Sequence, residues 1–378
     1  MKAAAAFVIV GMAVGCTSAA YAAQSLHRPA SAPRKATPAS SNRVVNRPPT
    51  VVLSTSASSV PAIGGSFKLS YSASGASTCT ISSTPAFWSG ANPATVSCNG
   101  VYRGNVPAAA MAQQWTFTLT ATTRTGQTAT KSQTLTKLPP PVSQSSNWSG
   151  YVVPSSTMVT QASGSWLVPT LNCVDTPNAG ESTWVGIGGY GLPTGRTSGV
   201  LLQTGITDQC VNGAQQDSGW FEEVPSTPNE SKAFRSFPVS PGDAMTASVY
   251  QASGGAWETR IDDLTTGLSG IMVTGKGWGV AADASGTQTF SEQGTTSGLT
   301  YAGGTTAEWI VEDFAVGSTT SIVPLANYGT VTFSNLQTSL ASWSLTTGVG
   351  LAITQGGVTL STPSAPSITG FSVSYTGP

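Results

Sequence analysis

The segment Ala307-Glu308-Trp309-Ile310-Val311-Glu312-Asp313-Phe314 places three carboxyl groups among large apolar side chains. On a strand, Glu308, Ile310 and Glu312 point to one face, and Trp309, Val311 and Asp313 to the other. A carboxylate beside apolar residues on a sheet face is costly unless that face is solvated or forms a cleft. In a cleft such a group does general acid or base work; on an open face it is only a scattered acid. Glu308 and Glu312 do not form a working pair by themselves. Four residues of strand separate their Cα atoms by roughly 13 Å, and the carboxyl pairs that cleave glycosides stand about 5–9.5 Å apart. A partner must come from a neighbouring strand. Two candidates carry polar groups among apolar ones: Leu201-Leu202-Gln203-Thr204-Gly205, and Trp220-Phe221-Glu222-Glu223-Val224, in which Trp220, Glu222 and Val224 share a face. Singly, Gln203 reads as a satisfied structural amide and Trp220 as packing.

Other chemistries are missing. The single histidine, His27, lies in a Pro/Ala-rich stretch near the N-terminus, which argues against Ser–His–Asp and Cys–His catalysis and His-ligated zinc. There is no CxxC cluster, P-loop or GxSxG elbow. Catalysis, if present, falls to carboxylates, amides, hydroxyls or Lys, with no metal and no cofactor implied.

The elements that must hold these residues are strands. Only 8% of the 378 residues are charged, far below the usual share of about 25%, while Gly, Pro and alternating Thr, Val and Ser abound. That composition suits a secreted all-β protein and excludes coiled coils and long helical bundles. The net charge of zero hides an asymmetry: residues 1–174 carry eleven Lys/Arg and no acid, and residues 175–378 carry all sixteen acids and five Lys/Arg. A basic arm usually suggests nucleic acid. Here an acidic partner sits in the same chain, so an intramolecular contact at neutral pH is expected instead, loosening in acid and followed by self-cleavage near residues 139–146.

Residues 1–23 read as a signal peptide, with Lys2, the apolar run Ala3 to Val14, and the cleavage site Ala20-Tyr21-Ala22. A lipoprotein signal ending at Cys16 is less suited, since Ala13 stands three residues before it. Residues 24–48 read as disordered and basic. Residues 49–138 contain strand candidates Thr50–Ser56, Ser66–Ser74, Thr78–Ser83, Gln114–Thr122 and Thr128–Thr136, which suggest a small sandwich. Its Trp115-to-Thr123 stretch resembles bacterial immunoglobulin-like repeats. Pro139-Pro-Pro141 opens a linker over 139–145. Residues 146–378 hold ten further candidates: Gly150–Val153, Gly164–Val168, Ser182–Ile187, Val200–Gly205, Gly219–Val224, Ala244–Tyr250, Trp257–Asp262, Thr305–Phe314, Thr330–Phe333 and Gly370–Tyr375. A unit so built is a large antiparallel sandwich. Cys79, Cys98, Cys173 and Cys210 read as two disulfides of an exported chain; three pairings are possible, and the two local ones are Cys79/Cys98 and Cys173/Cys210.

Over residues 146–378 the chain resembles the glutamic peptidases, or eqolisins. Six motifs occur in that family's order: Ser146-Asn147-Trp148-Ser-Gly150, Gly164-Ser-Trp166-Leu-Val-Pro169, Trp184-Val-Gly-Ile187, Leu202-Gln203-Thr-Gly205, Trp220-Phe-Glu222 with Pro225, and Ala307-Glu308-Trp-Ile-Val-Glu312-Asp-Phe314. The resemblance implies two bent antiparallel sheets, concanavalin-like, with a catalytic Gln203/Glu308 dyad and Trp184, Trp220 and Glu222 at the substrate. It implies a secreted, monomeric, pepstatin-insensitive acid endopeptidase acting on proteins or peptides, with no nucleic-acid or membrane partner after signal removal. The chain departs from fungal members at Gly188, Ser218 and Val224, where those have Asp, Asp and Tyr, and in its added front domain.

An unperturbed Glu titrates near 4.3, so an acid optimum is expected. Two other readings fit an all-β secreted chain: a carbohydrate-active sandwich hydrolase, which should set a second carboxylate against Glu308 in place of Gln203, and a non-catalytic binding or adhesive module. Asn147-Trp-Ser and Asn229-Glu-Ser are glycosylation acceptors only where the host uses that pathway.

Overall fold

The computed structural model describes residues 47–107, 110, 112–191, 200–224, 231–282, 291–315, 322–341, 343–367 and 370–378. The expected signal peptide, nearly all of the basic 24–48 segment, His27, Cys16, Pro225 and Asn229 lie outside them.

Among the described residues the regular structure is almost entirely strand. Near the front, Thr50–Thr55, Gly65–Ser74 and Asn99–Val106 form one sheet. Ser59–Val60, Thr128–Lys137, Gln113–Thr122, Thr78–Thr84 and Ala94–Val96 form another. Alternation drives both: Trp115, Phe117, Leu119 and Ala121 turn inward from a single strand and pack with Phe67, Leu69 and Leu135. Cys79 and Cys98 are disulfide-bonded, as are Cys173 and Cys210, so the structure selects the local pairing.

The remaining seventeen strands are hydrogen-bonded into one branched, largely antiparallel system. Seven of them carry the site: β1 (Val142–Ser145), β2 (Trp148–Val159), β3 (Gly180–Gly188), β4 (Leu201–Val211), β5 (Ala214–Val224), β6 (Gly304–Glu312) and β7 (Val349–Gln355). Their lateral order is β5-β4-β3-β6-β2-β7-β1. Only the β7–β1 pair is parallel. The stretch expected as a linker therefore continues into the large sheet. Gly350 N–H also donates to Pro141 O, and β1 satisfies the main-chain groups along β7 that an open edge would leave unpaired.

One face of this sheet joins the main core. Tyr151, Val153, Val185, Ile187, Trp309 and Val311 meet Trp166, Met245, Ala247, Ile261 and Phe333 from strands that include Gln161–Leu167, Ala244–Gln251, Trp257–Asp263 and Thr330–Thr338. The opposite face carries a second, separate cluster: Val152, Trp184, Leu201, Trp220, Ile310 and Leu351. A sheet apolar on both faces reads as continuous hydrophobic runs. That is why β3 and the second half of β6 lack simple alternation.

Several strands are longer than expected. β4 and β5 run on through Thr207, Asp208 and Gln209 and through Gln215, Gln216 and Asp217 to a two-residue turn. Asn212 (φ 53°) and Gly213 (φ 78°) both sit in the left-handed region, the geometry of a type I′ hairpin and the usual role of Asn-Gly. β7 and the strands Leu268–Val273, Gly277–Ala281, Ser291–Gly294 and Val358–Pro363 are not anticipated from the sequence.

Candidate active site

The register of five antiparallel pairings aligns one row of residues across the sheet. Glu222 on β5 pairs with Gln203 on β4, Gln203 with Gly186 on β3, and Gly186 with Glu308 on β6. Val152 on β2 and Val349 on β7 extend the row. Directly paired residues share a face, so Gln203 and Glu308 rise on the same side, with Gly186 between them. Two strand spacings put their Cα atoms about 10 Å apart. A β-carbon on Gly186 would stand 2.8 Å from Trp184 Cζ3, 3.0 Å from Leu201 Cδ1 and 3.3 Å from Gln203 Cβ. The absent side chain thus lets Trp184 and Leu201 close over Gly186, between the amide and the carboxyl.

Glu308 is fully buried. Its Oε1 accepts hydrogen bonds from Thr306 Oγ1 (2.8 Å) and from the Tyr190 backbone N–H (3.3 Å), while Oε2 has no protein partner. Gly188 (φ 94°) and Gly189 (φ 95°) turn the chain leaving β3 so that this N–H reaches the carboxyl; a side chain at either position would be strained. Burial pushes Glu308 up to about 8. The hydrogen bonds from Thr306 and Tyr190 pull it down, and the Glu312 carboxyl pushes it further up.

Gln203 is also buried. Its Nε2 donates to Glu222 Oε2 (3.1 Å), and its Oε1 has no protein partner. An amide NH2 carries two hydrogens, so one remains after the Glu222 contact. Glu222, expected at the substrate, holds the amide in place; burial raises its carboxyl above the ordinary range and the Gln203 contact lowers it. Trp184, also expected at the substrate, is fully buried, and its indole Nε1–H donates to Glu312 Oε2 at 2.7 Å. Trp220 is buried with its Nε1 unpartnered. Both rings belong to the cluster on the site face, with Trp148 and Tyr190 packed against it.

Three contributors are not assignable from the sequence: Thr306, the Tyr190 N–H and Gly186. The last lies within the Trp184-Val-Gly-Ile187 motif and is legible there only as a spacer. Asn147, an expected glycan acceptor, is occupied: its Nδ2 donates to Glu312 Oε1 at 2.8 Å. Sequence reasoning also misses a second carboxyl row on the core-side face, Glu181 on β3, Asp208 on β4 and Asp217 on β5. Burial pushes Glu181 up to about 7, against the hydrogen bonds from Asp208 and Thr183 and with a push from Asp217; burial also pushes Asp208 well above its usual range, reinforced by Glu181 and Asp217. Among the described residues no group of three or more His, Cys, Asp or Glu side chains is arranged to hold a metal ion.

The sequence pattern of the Peptidase A4 family matches residues 146–375. Aspergillopepsin-2 of Aspergillus niger is 29% identical over 211 residues, covering 51% of this chain and 64% of its own length. A crystal structure of scytalido-glutamic peptidase with a transition state analog inhibitor is similar with a TM-score of 0.47 at 24% identity, covering 61% of this chain and 98% of that one. SCP-B, an eqolisin in complex with the tripeptide Ala-Ile-His, has a TM-score of 0.44 at 26% identity, again over 61% and 98%. The family pattern covers more than half of the chain and contains the whole Glu222–Gln203–Gly186–Glu308 row. The chain belongs to the Peptidase A4 family.

Proposed function

We propose that the protein is a secreted endopeptidase in which Glu308 moves the protons and Gln203 stabilises the oxyanion. The observation that supports this most directly is the row itself. An amide and a carboxyl flank a glycine on one sheet face, each with one buried oxygen free of protein partners. A peptide carbonyl and a water placed over Gly186 meet both groups. Ionised Glu308 takes a proton from the water as its oxygen attacks the carbonyl carbon. The free N–H of Gln203 donates to the oxygen as it becomes negative. Protonated Glu308 then gives the proton to the departing amine as the C–N bond breaks. Glu222 on β5 holds one N–H of the amide, so donation to the oxyanion falls to the second N–H of the same group. A glycoside hydrolase would need a carboxylate where Gln203 stands across Gly186.

The leader and the two disulfides suit an oxidising, extracellular destination. The front sandwich of residues 49–138 is proposed as an immunoglobulin-like accessory domain. The acid optimum is proposed for the enzyme–substrate complex. In the resting protein burial disfavours the carboxylate; a water and the peptide N–H groups of a bound substrate supply hydrogen bonds that favour it, as Thr306 does already. The acid limb of kcat is therefore expected at lower pH than that of kcat/KM, which reports the free enzyme. Thr306→Val removes a donor to the charged form, raises Glu308 further and should move both limbs to higher pH; unchanged limbs would detach Thr306 from the titrating group.

Digestion of denatured casein at acid pH, with pepstatin present, tests the assignment. Wild type is expected to release peptides and Glu308→Ala to release none. Equal release by both would end the proposal.

A further inference from the structure

The peptidase reading uses Glu308 and Gln203, with Glu222 holding the amide, and leaves a half-buried carboxyl on the same face without a task. Glu312 lies four residues along β6 from Glu308, on the far side of Ile310. Both of its oxygens are engaged. Oε2 accepts the Trp184 indole N–H at 2.7 Å, and Oε1 accepts the Asn147 amide at 2.8 Å. The Trp184 ring extends from that bond over Gly186, where Cζ3 lies 2.8 Å from the point a Gly186 β-carbon would occupy. The Trp148 ring meets Trp184 edge to face at 5.0 Å. A long side chain is thus anchored at its polar end and braced on its apolar flank, and its far edge covers the strand between Gln203 and Glu308.

We propose that Glu312 is a positioning residue: by accepting the Trp184 indole and Asn147 amide protons it fixes the ring that covers Gly186 between Gln203 and Glu308. This rests on the peptidase reading for its catalytic consequence, but not for the contact itself. Hydrogen bonds to an ionised acceptor are stronger than those to a neutral one, so the ring is held most firmly when Glu312 is ionised. The groups facing Glu312 are few. β6 contributes Glu308 and β5 Glu222; β3 contributes Ser182 and Trp184, and the start of β2 contributes Trp148 with Asn147 beside it. No cation is among the groups that shift it. Burial pushes it up to about 7, opposed by the hydrogen bonds from Trp148, Trp184 and Asn147.

The test reads Trp184 directly. Emission of the full chain minus that of Trp184→Phe, followed against pH, is expected to titrate in wild type and to be flat in Glu312→Gln. Asn147→Ala removes a donor to the charged form, so its midpoint should move to higher pH; this variant serves if Glu312→Gln does not fold. On a peptide substrate, Glu312→Gln should lower kcat roughly ten- to hundredfold above about pH 7, where Glu312 is ionised, and less in acid, where Glu312 is itself protonated. It should also move the acid limb of kcat/KM downward, because a neutral amide no longer opposes ionisation of Glu308. A difference emission that does not titrate in wild type, or a folded Glu312→Gln with unchanged emission and unchanged pH profile, overturns the proposal. If wild type hydrolyses no peptide while the emission still titrates as described, the peptidase reading fails and the Glu312–Trp184 clamp stands.

Discussion

Glu308→Gln is expected to lower kcat/KM for peptide hydrolysis by about 10³-fold or more, because in the proposed mechanism the same carboxyl serves as base and then as acid, and each such role contributes roughly 10²–10⁴. The substitution is close to isosteric. Its amide oxygen still accepts from Thr306 and from the Tyr190 N–H, so the contacts that hold residue 308 survive, and the loss is one of proton transfer. Gln203→Ala should cost about 10²–10³, the range for deleting one oxyanion donor, and it also strips Glu222 of its partner. The double variant is expected to lose little more than Glu308→Gln alone, since an oxyanion donor has nothing to stabilise once attack no longer occurs. Steady-state kinetics on one peptide, with circular dichroism to confirm folding, decides the matter. A Glu308→Gln enzyme within tenfold of wild type would remove this residue from the chemistry.

The second large effect concerns stability. Glu181 and Glu308 are fully buried and Glu312 is half-buried; they are raised to about 7, 8 and 7, and Asp208 is raised well above its usual value. In every case burial is the leading cause. Each folded carboxyl holds its proton above the pH at which the unfolded chain, near 4.3, gives it up. The native state therefore binds more protons between those limits, and stability falls as pH rises through them. Their contribution is complete below about pH 4 and is lost progressively up to about pH 8. A tenfold difference in acidity between the folded and unfolded chain corresponds to about 1.4 kcal/mol, and ~1 kcal/mol moves Tm by about 2–4 °C in a domain of this size. With four groups acting in one direction, Tm is expected to drop by roughly 10 °C or more between about pH 4 and pH 9. Only five Lys/Arg fall in residues 175–378, so little positive charge is at hand to offset the ionised cluster. Scanning calorimetry across that range would refute the idea with a flat or rising Tm. Burial of these carboxyls thus makes the fold costly to keep above neutrality.

Part of the site is legible in the amino-acid pattern. Strand alternation puts Glu308, Ile310 and Glu312 on one face, and the folded chain keeps them there, with Trp309 and Val311 in the main core. The Asn212-Gly213 turn carries more than its two residues suggest. A two-residue hairpin centred there fixes the register of β4 on β5, and that register sets Gln203 opposite Glu222 and Asp208 opposite Asp217. The polar residues near the turn disguise both strands, because a strand leaving a core alternates less cleanly than one within it. Val349–Gln355 escapes notice for the opposite reason: a run such as Val-Gly-Leu-Ala-Ile carries apolar residues on both faces, and periodicity is silent there.

The sequence by itself narrowed the chemistry: without a usable imidazole, carboxylates, amides, hydroxyls or Lys remained, and the resemblance of its motifs to the glutamic peptidases pointed to Gln203 and Glu308. Local spacing reaches only along one strand or across one tight turn. The meeting of β3 with β6, which brings Gly186 between residues more than a hundred positions apart, depends on which sheet edges remain to be paired once the core is closed. The tertiary structure alone decided that a glycine stands between Gln203 and Glu308, that Thr306 and the Tyr190 N–H face Glu308, and that Glu312 takes hold of Trp184. Burial, which moves every one of these carboxyls away from its ordinary titration, is a property of the assembled sheets, and no single segment contains it.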